Sequence, residues 1–122
     1  APVEKKFAVV ANPVAVTVEN SKFVFNDNFE QTPEMHGGVP YLFDQTHGSL
    51  GEGGHKLLFT RNSDAPDEYF CTFIGTPGSD GYLLFEPPLD PQENPAAYQV
   101  WAYCKSHGVG SGGIYNPILI LK

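Results

Sequence analysis

The residues in this sequence best suited to chemistry are Gln99, Trp101 and Tyr103, which alternate along AYQVWAYC, Ala97 to Cys104. If that stretch is a strand, these three side chains share one face, and Tyr98, Val100, Ala102 and Cys104 share the other. Indole and phenol rings beside a carboxamide make a surface that stacks on the C–H faces of sugars and bonds their hydroxyls. The competing reading makes Trp101 a second core residue, and periodicity alone does not separate the two. A shallow sugar site also draws on polar loops, and Asn62, Asp64, Asp80 and His107 are the candidates there.

Other chemistries find less support. Cys104-Lys105-Ser106-His107 has the cysteine-to-histidine step of a soft-metal loop, but no methionine follows. The stretch GVGSGG, Gly108 to Gly113, matches G-x-G-x-x-G without room for the helix and second strand that a dinucleotide site needs. His36, His47 and His55 are not at local ligand spacing, although a site assembled from distant histidines and Asp44 stays open. Asp64, Asp67 and Glu68, like Asp90 and Glu93, fall where turns favour acidic residues, and no G-x-S-x-G occurs. No catalytic residue, metal ligand or cofactor is therefore assigned, and a small hydrolase or metal-binding protein is the third reading of function.

Seven basic residues against fourteen acidic ones give a net charge of −7, which repels nucleic acid and anionic membrane surfaces. No apolar run approaches the roughly 18 residues of a membrane span, so insertion into a bilayer is not expected. The two cysteines, Cys71 and Cys104, lie in apparent strands of a glycine-rich and proline-rich domain, which suggests a disulfide between them. Two buried free thiols in a cytosolic protein are the alternative. A chain beginning Ala1-Pro2 reads as the product of signal removal, which with a disulfide points to secretion.

The elements that must hold these residues are short. KFAVVA (Lys6 to Ala11) and VAVTVE (Val14 to Glu19) read as strands separated by a corner at Asn12-Pro13, followed by KFVFN (Lys22 to Asn26). Thr32-Pro33 can open one helical turn through Met35. VPYLF (Val39 to Phe43) carries a proline and so reads as an edge strand, and Asp44 to Gly54 reads as a loop too polar to bury. HKLLFTR (His55 to Arg61), EYFCTFI (Glu68 to Ile74) and GYLLFE (Gly81 to Glu86) are strands joined by turn-rich loops. A proline-rich crossing, Pro87 to Ala96, leads to AYQVWAYC, and Ile114 to Lys122 closes the sequence.

The whole, residues 1–122, is expected to be a single mainly β domain: an antiparallel sandwich or open barrel with one disulfide. The alternative is α+β, an antiparallel sheet carrying short helices at Thr32 to His36 and Asp90 to Ala97. Pairing of the cysteines would set Tyr69, Cys71 and Phe73 against Tyr98, Val100, Ala102 and Cys104 as the core. The continuous apolar run Ile118 to Leu121 reads either as a central strand or as an edge that pairs with a second copy into a homodimer.

KKFAVVA (Lys5 to Ala11), GYLLFEP (Gly81 to Pro87) and WAYCKS (Trp101 to Ser106) resemble the spaced aromatic strands of small secreted fungal surface proteins, of the cell-wall or phialide type and among mushroom glycan-binding proteins. The resemblance implies an extracellular, non-enzymatic, sugar-binding role with glycans or glycoproteins as partners, and carries over no catalytic residue. The leading expectation is thus a secreted, lectin-like protein without catalysis, and the runner-up is a structural cell-surface or cell-wall protein with no small ligand.

Overall fold

The computed structural model describes residues 12–20, 22–26, 28–29, 34–51, 54–62, 64, 67–89, 97–104, 108–109 and 118–121. In chain order the strands are β1 (Asn12–Glu19), β2 (Lys22–Phe25), β3 (Asn28–Phe29), β4 (Met35–His36), β5 (Tyr41–Asp44), β6 (Leu57–Thr60), β7 (Cys71–Ile74), β8 (Tyr82–Phe85), β9 (Ala97–Cys104), β10 (Gly108–Val109) and β11 (Ile118–Leu121). One turn of helix, α1 (Gly48–Gly51), lies between β5 and β6. A six-stranded sheet runs β3-β2-β1-β5-β8-β7, and a five-stranded sheet runs β10-β9-β11-β4 with β6 on the other edge of β9.

The architecture is mainly β, as expected, but both sheets are mixed, and one is curled into half a barrel. β1 runs parallel to β5, and β11 parallel to β4, so a purely antiparallel fold is corrected. Asn12-Pro13 is not a corner: both residues lie inside β1, opposite Tyr41 and Leu42. β5 begins just after Pro40, which lets it occupy the sheet interior between β1 and β8 instead of an edge. Met35 and His36 form a strand in place of the expected helical turn, because β11 offers them a hydrogen-bonding edge. The sequence-read strand Lys6 to Ala11 and residues 90–96 lie outside the described residues.

The two sheets meet through phenylalanine. Phe25, Phe43, Phe59 and Phe85 are fully buried, and their rings run from β2 to β5 (6.2 Å), from β5 to β6 (5.1 Å) and from β6 to β8 (4.4 Å, stacked). Such a series carries large buried area plus the preferred ring geometries, so truncating any member costs several kcal/mol, about 3–5. Tyr98, Val100, Ala102 and Cys104 are buried in the core, and Tyr69, Cys71 and Phe73 are partly buried against that core, which also takes in Tyr103 from the other face of β9.

The cysteines nonetheless do not bond. Both are free thiols. Cys104 faces Leu57 across the β6–β9 ladder, whereas the Cys71 thiol turns to the carbonyls of Tyr69 (3.4 Å) and Phe59 (3.7 Å). Leu57 and Phe59 are two residues apart on β6, an offset of about 6–7 Å along the strand, and the Cys104 thiol turns to a different carbonyl, that of Gly54 (3.9 Å). With both thiols free, the cysteines carry no argument about compartment.

Hydrogen bonds join the sheets at several points. Tyr69 N–H donates to Phe59 O (2.9 Å), and Gly38 N–H donates to Pro87 O (2.7 Å). The Gln45 side chain supplies another: its Nε2 donates to Leu57 O (3.0 Å) and its Oε1 accepts from Leu57 N–H (2.9 Å). Gln45 is completely buried, and so is Leu50 on α1, so the segment between β5 and β6 is not the solvated loop its composition suggests. Gly78 lets the β7–β8 turn close on α1: it has φ of +90°, and a Cβ there would sit 2.5 Å from Gly51 N.

Candidate functional site: an aromatic and arginine rim

Thr60 ends β6 and organises the loop beyond it. Its hydroxyl, buried, accepts N–H bonds from Asn62 (3.1 Å) and Asp67 (3.0 Å) and donates to Asn62 O (3.3 Å). Asn62 Oδ1 then accepts from Asp64 N–H (3.0 Å), and Asp67 Oδ1 from Glu68 N–H (3.0 Å), so the loop is held by its own short polar side chains. Thr60 pairs with Trp101, which means the loop leaves β6 at the end of β9 that carries Tyr98 and Gln99.

There, Arg61 places its guanidinium over two tyrosines, 4.8 Å from the Tyr98 ring centroid and 5.7 Å from that of Tyr69. Tyr69 and Tyr98 meet edge to face at 6.2 Å, and the Tyr98 hydroxyl donates to Pro88 O (2.7 Å). Tyr69 in turn packs edge to face against Phe70 at 4.8 Å. Phe70 is 57% exposed and sits at φ of +49°, a left-handed conformation that a bulky side chain seldom adopts. Its cause is the chain crossing from one sheet to the other: Tyr69 is bonded to β6, and Phe70 O accepts from Glu86 N–H just beyond β8. The result is a rim of Arg61, Tyr69, Phe70 and Tyr98, fixed from both sides.

The residues singled out in the sequence are distributed unevenly around it. Gln99, Trp101 and Tyr103 do lie on the face of β9 opposite the core side chains, and Gln99 is exposed. Trp101 is half-buried, while Tyr103 is only 5% exposed and presents no open ring. Burial pushes the Tyr103 phenol up to about 12, with Glu68, Cys71 and Asp67 adding unfavourable negative charge. β6 and the Tyr103 end of β9 are covered on both faces, with Leu58 buried opposite Tyr103. Asn62 and Asp64 lie on the rim's loop. Asp80 belongs elsewhere, in the β7–β8 turn, where its Oδ1 accepts from Thr76 N–H (2.8 Å). His107 lies outside the described residues.

Histidine, aspartate and serine serve local structure instead of a shared centre. His36 Nε2 pairs with Glu34 (3.1 Å), His55 packs on Phe23, and Asp44 Oδ1 bonds Thr46 at both N–H and hydroxyl. The Ser49 hydroxyl donates to His47 Nδ1 (2.8 Å) and accepts from Val18 N–H (2.9 Å), which ties α1 to β1. Among the described residues no group of three histidine, cysteine or acidic side chains is placed to hold a metal. β11 lies between β9 and β4, so both its edges carry ladder bonds and it is an interior strand.

The rim residues escape a reading of the sequence because EYFCTFI looks like one uninterrupted strand. Only the tyrosine-phenylalanine pair beside an arginine-bearing turn hints at a cluster. Comparison with protein-family models, curated proteins and solved structures finds no match to this chain, and its site is read from its own geometry.

Proposed function

We propose that this protein binds carbohydrate without catalysis, through exposed Arg61 and Phe70, which Tyr69 and the buried Tyr98 hold in place. The observation that carries the reading is Phe70: a large aromatic ring, mostly exposed, held edge-on by Tyr69 and fixed by backbone bonds on either side of a strained residue. Strain of this kind costs of order 1–3 kcal/mol and persists only where the surroundings enforce it. A ring so presented stacks on a pyranose without losing freedom on binding. Arg61, Asn62, Asp64 and exposed Gln99 stand at the same end of β9 with donors and acceptors for sugar hydroxyls.

The test is a glycan array followed by calorimetry on the hits. Phe70→Ala should lower affinity about thirtyfold, the loss of a contact worth roughly 2 kcal/mol, with the thermal midpoint nearly unchanged. An array on which the wild-type protein retains no sugar overturns the reading.

A further inference from the structure

Arg61 has a feature that hydroxyl recognition does not require. Its guanidinium contacts tyrosine rings, a mode that engages its positive charge and leaves its N–H donors available at the edge of the group. Among the described residues it forms no ion pair, although the chain carries fourteen acids to seven bases. The ring contacts restrict the side chain, so the fork of N–H groups is oriented before any ligand arrives.

Resting on the carbohydrate reading, we infer that the ligand is an acidic sugar whose carboxylate accepts two N–H bonds from Arg61 while a neighbouring ring stacks on Phe70. A carboxylate is planar and matches the guanidinium fork with two parallel bonds. Glycans with several sulfate or phosphate groups are disfavoured, because each negative charge beyond the first meets the net −7 of the protein, and among the described residues Arg61 is the one base at the rim. Phe70 and Arg61 both pack against Tyr69, at 4.8 Å and 5.7 Å, and so lie within the span of a disaccharide.

The experiment titrates the protein with oligosaccharides ending in glucuronic, galacturonic or sialic acid, each beside its carboxyl methyl ester. The esters keep the ring and hydroxyls and remove the charge. At least one acid should bind tenfold or more tighter than its ester. Arg61→Gln should bring the two to equality, its loss falling at least tenfold more heavily on the acid than on the ester, and Arg61→Lys should restore only part of the difference. Phe70→Gly should weaken acid and ester alike. Equal binding of acid and ester by the wild type, or unchanged discrimination in a folded Arg61→Gln, overturns the carboxylate assignment and leaves sugar binding standing. If no acid, ester or neutral sugar binds, the carbohydrate reading falls, and this inference with it.

Discussion

Gln45 and Leu57 are bonded as two facing strand residues are, with a carboxamide standing in for one of the backbones. The pair is fully buried, so neither Leu57 group has water to turn to if the amide is removed. Gln45→Leu should destabilise the protein by about 2–6 kcal/mol, since each of the two orphaned groups costs about 1–3. Gln45→Glu tests the chemistry more sharply. Its carboxylate can accept from Leu57 N–H, but only the protonated form can donate to Leu57 O. Burial and that carbonyl both favour the protonated form, which raises the introduced carboxyl's folded pKa above its unfolded value. Its contribution is then present in acid and lost as pH rises through the folded pKa. The unfolding free energy of this variant, from urea titration, should fall as pH rises above the ordinary carboxyl range, on the order of 1.4 kcal/mol per pH unit until the raised folded pKa is passed. A flat profile would refute the account.

The thiols give a second pH signature. Burial raises the Cys71 thiol from its ordinary 9.0 to about 11. The unfolded chain loses this proton near 9 and the folded protein near 11, so stability declines as pH climbs through that interval. Tyr103 adds a similar decline from 10 to about 12. The urea midpoint should therefore drop steadily above pH 9, and Cys71→Val should remove the earlier part of the drop. A midpoint constant to pH 11 contradicts the burial of both groups.

Thiol counting tests the free cysteines directly. Unfolded in urea without reductant, the protein should release two equivalents of reactive thiol, and when native it should react slowly, because Cys104 is buried and Cys71 largely so. No thiol released on unfolding would restore the disulfide.

Phe70 separates stability from binding. Glycine adopts the left-handed region without the roughly 1–2 kcal/mol that a larger side chain incurs. Since the Phe70 ring is mostly exposed, Phe70→Gly should hold the thermal midpoint or raise it while sugar affinity collapses. A folded variant that still binds as the wild type does would remove Phe70 from the site.

What was legible in the sequence was periodicity. The faces of Cys71 and of Cys104 emerge correctly because strand alternation is strict, and β2, β6, β8 and β9 fall where alternation and turn residues place them. Register between distant strands was not legible: Cys71 and Cys104 share a core but are offset along β6, and nothing in a one-dimensional pattern measures that offset. Nor was the burial of Gln45, because a glutamine in a glycine-rich stretch becomes a core residue only when a strand end stands opposite it. The rim was hidden for the same reason. Alternation already sets Phe70 on the face away from Tyr69 and Cys71, but the left-handed turn by which the chain crosses between sheets is not written in the pattern.

The position of β11 has a kinetic consequence. Met35 of β4 pairs with Ile120, and β9 pairs with the same strand, so the second sheet is incomplete until a segment late in the sequence has found one from its first third. Contacts of such separation make folding slow, because the intervening loop must be closed before any bond rewards it. Until then the inner sides of β9 and β4 stand open, with Tyr98 and Met35 unshielded, and a nascent or refolding chain passes through an aggregation-sensitive stage that the finished protein conceals.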